Sequence, residues 1–521
     1  MSATLLFSFV IGYFILLLAV AYFTSRNSNN DSFFIGNRNS NWMLVAFGMI
    51  GTSLSGVTFV SVPGTVGDFA GNSYKAFGYF QVVLGYFIGY FVIAFVLLPL
   101  YYKMNLTSIY NYLQNRFGKI SYKTGALFFI ISRTVGATAR LYLVIFVLQE
   151  FILGDLGVPF LVTTLVILLM ILLYTFEGGV KTIVYTDTLQ TTFMLLGLIV
   201  CVIYILNNLD FSLSQAMHTL NEKGYTKIFN TDINSKGFFL KQIIGGMFIT
   251  IGMTGLDQEM MQKNISVRNL KDSQKNMMTF NVIIVIVNFL FLLLGGLLYL
   301  YALNHGAEYH QAVANGAGKW QFLLNNKNII GDALFPTVAL KMATQAISII
   351  FIIALISALF PSADGALTAL TSSFCIDILG IKRNQGLTER QRKRIRLAVH
   401  LSFTVIFMLC ILVFKWIGSR SIIDKILDFA GYTYGPLLGL FSFGILTKRR
   451  LPETYLITLV CLLSPLLCYF LSINSPKWFG GFQIGIELLL INGILTFVGL
   501  LLISSRSVKS ADGSPRSVDR Q

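Results

Sequence analysis

The chain of 521 residues is 55% hydrophobic and only 12% charged, with a mean hydropathy of +0.71. Such a balance excludes a soluble globular protein and indicates a polytopic membrane protein. The net charge of +16 calls for no nucleic-acid partner, because Lys and Arg at the ends of membrane spans set topology and contact anionic lipid.

Apolar runs of about 20 residues fall at 5–25, 42–66, 76–100, 124–148, 157–175, 183–206, 239–261, 279–302, 343–374, 397–417, 421–446, 452–472 and 481–504, which predicts an all-α protein of about 13 transmembrane helices. The first run lacks a charged flank and a small-residue cleavage site, so it reads as a retained helix rather than a signal peptide. An outside N-terminus puts Arg26, Arg38, Lys103, Arg116, Lys263, Arg268 and the basic loop 382–396 in the cytoplasm, giving that side roughly twice the Lys and Arg of the other. The polar tail 506–521 is then cytoplasmic and disordered. The longest stretches between runs, about 207–238 and 303–342, are outer loops, leaving no appended soluble domain. The five cysteines contain no CxxC, and the four histidines show no metal-ligand spacing. Function is therefore expected within the membrane.

The second run contains GMIGTSLSGVTFVSVPG (48–64), where glycines, hydroxyls and Pro63 weaken a helix at membrane depth. Unwound backbone survives there only if it is buried in protein or lines a cavity. A small-residue packing face is the alternative. The seventh run carries a second weakened segment, GGMFITIGMTGLDQEMMQ (245–262). Weak segments at corresponding positions of two halves point to a secondary transporter built from inverted repeats. Five helices separate the two, so the pattern predicts inverted five-helix repeats (5+5) of leucine-transporter type with broken first helices. The domain plan is one transporter domain over 1–505: an extra helix at 1–25, a first repeat at 42–206, an inverted repeat at 239–446 and two peripheral helices at 452–504.

Several motifs carry a resemblance over most of the chain: GTSLSGVTF, YTFEGGVKTIVYTDTLQ (174–190), DQEMMQK (257–263), SALFPSADGALTAL (357–370) and GYTYGPLLGLFSFGILTKR (431–449). In combination they resemble the sodium:solute symporter family. The resemblance implies Na+ as coupling ion and a sodium site at Gly51, Leu54, Ala358, Pro361 and Ser362. Pro361 stands where relatives more often have a hydroxyl, so Ser362 or water must carry more of that site. Asp187 matches a carboxylate that some members use for a second sodium, and Asp364 replaces a hydroxyl beside it.

Ionisable groups at membrane depth are costly and therefore candidates for function. Pro361 frees the carbonyl of Ser357, and Ser357, Ser362 and Asp364 offer hard oxygen ligands. Asp187 and Asp364 could jointly hold a second cation or share a proton, whereas Asp187 could instead merely cap a helix. Arg133 and Arg140, seven apart on one helix face, read either as an anion-recognising pair or as structural partners of Asp257, Glu259 or Glu150. Further solute contacts are expected from Ser55, Thr58, Gln81, Asp257, Tyr432 and Tyr434. Together these readings predict a sodium-coupled symporter, not an enzyme, that imports a small polar organic solute across a bacterial plasma membrane. A proton-coupled carrier or a solute-sensing module is the alternative. A monomer in contact with membrane lipid is expected, with the C-terminus in the cytoplasm.

Overall fold

The computed structural model describes residues 3–25, 33–34, 36–67, 75–154, 156–175, 179–314, 317–384, 386–417 and 422–505; Arg26, residues 176–178 of the YTFEGG motif and the 506–521 tail lie outside them. Among the described residues nine helices are long and apolar enough to cross a membrane, or up to eleven if each of two bent pairs is one span. Two further apolar helices are shorter. The chain is an integral multi-pass membrane protein.

In chain order, α1 (Ala3–Ser25) precedes the first bent pair, α2 (Trp42–Ser53) and α3 (Gly56–Thr65). Then come α4 (Tyr79–Val92), α5 (Lys119–Leu148), α6 (Phe160–Thr175) and α7 (Gly179–Asn208). The second bent pair is α8 (Phe239–Thr250) and α9 (Gln258–Ile265), followed by α10 (Leu270–Asn304) and α11 (Gln345–Ser373). The chain continues through α12 (Glu389–Ile417), α13 (Ile422–Leu446), α14 (Leu456–Trp478) and α15 (Leu488–Ile503). Helices α5, α10 and α12 begin earlier than the apolar runs suggest, because their charged first turns are helical without being hydrophobic.

Both breaks lie inside the two weakened segments. At the first, the chain bends by 55°: Leu54 leaves the helix (φ −89°, ψ 71°) and Ser55 is extended (ψ 175°). At the second the bend is 64°, and Asp257 caps α9 by accepting from the amides of Glu259 (2.9 Å) and Met260 (3.3 Å). Carbonyls released at this break are satisfied by protein: Tyr101 donates to Gly255 O (2.8 Å) and Tyr110 to Leu256 O (2.9 Å). That is the condition for non-helical backbone at membrane depth. Around the breaks, α2 packs on α7 and α11, while α9 reaches α11, α7 and α2.

The stretch 303–342 is not a plain loop. It forms an antiparallel sheet of β1 (Glu308–Ala314), β2 (Ala317–Leu324) and β3 (Lys327–Asn328). Asn325 (φ +49°) and Asn326 (φ +61°) make its two-residue turn, a left-handed conformation that Asn tolerates. Tyr309 of β1 donates to Gly67 O (3.1 Å), tying the sheet to the chain just after α3, and Tyr299 of α10 donates to Gly64 O (2.7 Å).

Candidate functional site

Three groups of residues meet between the two breaks. The first is the junction of α2 with α7 and α11. Gly51 donates its amide to Thr191 Oγ1 (3.1 Å), and a Cβ there would overlap Thr191 and lie 3.4 Å from Pro361 Cγ. A side chain there would therefore displace Thr191 and loosen the seat of α2 on α7. Gly51 and Leu54 share one face of α2 at its broken end; Ala358, Pro361 and Ser362 share one face of α11 by their i, i+3, i+4 spacing. Ser362 is buried and donates to Leu359 O (2.9 Å). The five residues expected to bind sodium offer hydroxyl and backbone oxygens, a donor set suited to a small hard cation.

The second group is a buried chain of charges. Lys263 Nζ lies 2.6 Å from Asp187 Oδ2 and 2.6 Å from Thr52 Oγ1, and 3.8 Å from Glu259 Oε1. Glu259 Oε2 pairs with Arg133, whose guanidinium is also 3.9 Å from Asp257 Oδ2. Tyr434 donates to that same Asp257 oxygen (2.8 Å). Asp187, Asp257, Glu259, Lys263 and Arg133 are each no more than 3% exposed. Lys263, read from the sequence as a cytoplasmic loop charge, is thus an interior counter-ion. The two carboxylates expected to share one cation are engaged separately: Asp187 binds Lys263, and Asp364 accepts from Tyr174 (2.8 Å).

The third group lines a cavity of about 90 Å³ between the breaks. Ser55, Thr58, Arg133 and Arg140 line it, together with Tyr79, Tyr86 and Tyr90 of α4 and Asn288 of α10. Arg133 is pinned by Glu259, whereas no ion pair or hydrogen bond is formed by Arg140 among the described residues. The two arginines therefore differ in kind. The tyrosines were missed by the sequence reading, although their i, i+7, i+11 spacing puts them on one helix face.

Four expected solute contacts lie elsewhere. Gln81 donates to Gly78 O (3.0 Å) and accepts from Asn230 N (3.3 Å), fastening the stretch before α8 instead of lining the cavity. Asp257 and Tyr434 are in the wall behind Arg133. Tyr432 packs near Tyr469 with its carbonyl bonded to Asn492 (2.8 Å), among α13, α14 and α15. The remaining polar residues of DQEMMQK rivet α9 in place: Gln258 accepts from Ile109 N (2.9 Å) and donates to Thr107 O (3.1 Å), and Gln262 donates to Phe34 O.

A sequence profile of the sodium:solute symporter family matches residues 33–459. The sodium/sialic acid symporter NanT of Aliivibrio fischeri is 24% identical over 485 residues, covering 91% of this chain and 89% of the relative. The sodium/sialic acid symporter SiaT of Proteus mirabilis is 22% identical over 462 residues, 85% of each chain. Among solved structures, a substrate-bound, outward-open sodium-coupled sialic acid symporter superposes with a TM-score of 0.75 at 20% identity, covering 95% of this chain and 97% of that one.

Proposed function

Because the chain belongs to the sodium:solute symporter family, we propose that it imports a small organic anion together with sodium by alternating access. Arg140 carries this reading: a cation facing a cavity at membrane depth with no hydrogen-bond or ion-pair partner among the described residues calls for an anion, and a solute carboxylate supplies one. The relatives named for sialic acid, an acidic sugar, agree with that chemistry. Ser55 and Thr58 would hold the solute's polar groups. Sodium would bind at Gly51, Leu54, Ala358, Pro361 and Ser362, joining the broken end of α2 to α11 and favouring one state of the transport cycle. A ligand shifts such an equilibrium only through its different affinity for the two states.

Thirteen apolar segments result if each bent pair counts once and the two short helices are included, which supports the 5+5 plan with repeats over 42–206 and 239–446. The cavity is smaller than the roughly 300–1,000 Å³ of filled ligand pockets, so its walls would part to admit solute. Sodium-driven uptake by purified protein in proteoliposomes tests the proposal. N-acetylneuraminate or a simple monocarboxylate should be taken up in preference to an uncharged hexose, and Arg140→Gln should raise the apparent constant for that anion by about tenfold without lowering the melting temperature. Preferred uptake of the hexose by the unmodified protein would overturn it.

A further inference from the structure

Glu259 occupies the centre of the buried chain, and among the described residues it is the one carboxylate paired with Arg133 and also within 4 Å of Lys263. Its two oxygens do different things. Oε2 holds Arg133 against the cavity wall. Oε1 lies 3.8 Å from Lys263 and accepts no hydrogen bond among the described residues, although it is buried. A buried carboxylate oxygen left without a donor is costly, so it is an acceptor held in reserve for the nearest ammonium. The backbone of α11 makes room for it: a Cβ on Gly365 would overlap Glu259 Oε1 and sit 3.2 Å from Lys263 Nζ.

The other end of the chain reaches the sodium junction. Lys263 is bonded to Thr52, the residue after Gly51. A cation arriving at the adjoining junction of α2 and α11 repels the ammonium, and the repulsion is strong because buried charges are weakly screened. Among the described residues Glu259 Oε1, 3.8 Å away and without a donor, is an acceptor on which Lys263 can gain a second anionic partner. A Glu259 shared with Lys263 holds Arg133 less tightly.

We propose that Glu259 is a positioning residue for coupling: it keeps Arg133 paired while the α2 junction holds no sodium, and lets it turn to an anionic solute beside Arg140 when sodium binds. The inference rests on the sodium junction and the anionic solute proposed above. By linkage, solute must strengthen sodium binding by the same factor.

The test uses full-length protein in nanodiscs, with sodium replaced by choline. Calorimetric binding of N-acetylneuraminate is measured with and without sodium, and sodium binding by its effect on the melting temperature. In the unmodified protein sodium should tighten N-acetylneuraminate binding by about tenfold or more. Glu259→Gln should tighten sodium-free binding, because Arg133 is released, and reduce the sodium effect to less than about threefold. A purely structural role would lower stability and leave that ratio unchanged. Glu259→Gln with the unmodified ratio overturns the proposal. Should that variant not fold, Glu259→Asp keeps the charge but shortens the reach, and must also lower the ratio; an unchanged ratio in it overturns the proposal equally. Failure of the unmodified protein to bind N-acetylneuraminate would count against the solute reading, and the sodium arm then decides alone: Glu259→Gln must raise the sodium constant by about threefold or more, and an unchanged constant overturns the role of Glu259.

Discussion

The two helix breaks are built from opposite materials. The first, at Leu54 and Ser55, is made of glycines and hydroxyls; its neighbours are Thr191, Pro361 and the cavity. The second, at Leu256 and Asp257, is closed by tyrosines on its carbonyls, a carboxylate cap and ion pairs to α5 and α7. Neutral oxygens held by a few weak contacts can be re-used to bind a ligand. Charges paired in a low-dielectric interior can exchange one charged partner for another but cannot be left unpaired without large cost. The first break is accordingly the one suited to receive sodium and solute, and the second is the anchor against which it moves.

The largest expected effect comes from breaking the anchor. Lys263→Met leaves Asp187 without its counter-charge and weakens the hold on Glu259, so it should destabilise the protein by about 3–5 kcal/mol. A melting temperature within a degree of the unmodified protein would contradict the anchor role. Gly51→Ala strikes the pliable break instead. Its Cβ collides with Thr191, so sodium activation of uptake should be lost or shifted by about tenfold, at a stability cost of about 1–3 kcal/mol. Relief of the sodium defect by adding Thr191→Ala would sharpen the comparison.

Tyr110→Phe removes the donor from Leu256 O and should cost about 1–3 kcal/mol of stability while leaving the sodium constant in place. The smallest change is expected from Ser362→Ala, which deletes one hydroxyl at the junction. It should raise the sodium concentration for half-maximal uptake by a few fold, an effect of about 1 kcal/mol, with stability unchanged. Unaltered sodium activation in reconstituted Ser362→Ala would remove that residue from the site.

Both breaks were legible in the sequence because their cause is local: Gly, Ser, Thr and Pro in an otherwise apolar run report on the helix that contains them. The face shared by Arg133 and Arg140 was legible for the same reason, from helical spacing. The partners were not. Asp187 and Lys263 are 76 residues apart and meet only through packing of α7 on α9. Hydropathy ended the seventh run near 261 and left Lys263 outside it, since no local signal distinguishes a buried, paired lysine from one in a loop. Gln81 misled in the opposite sense. A polar residue in a span reads as a solute contact, whereas its amide satisfies backbone groups of Gly78 and Asn230. The β-sheet at 308–328 was hidden because strands of seven and eight residues are too short to register in a scan for membrane-length apolar runs, although the Asn325–Asn326 pair is a turn signal.

Hydrogen–deuterium exchange in sodium against choline tests most directly whether the neutral break receives the ion and the charged break stays fixed. Peptides covering 48–58 should gain protection in sodium, because closing the broken end of α2 onto α11 shields its amides, while those covering 255–263 should be slow to exchange and unchanged. Protection by sodium confined to 255–263, with 48–58 unaffected, would contradict the assignment of ligand site and anchor to the two breaks.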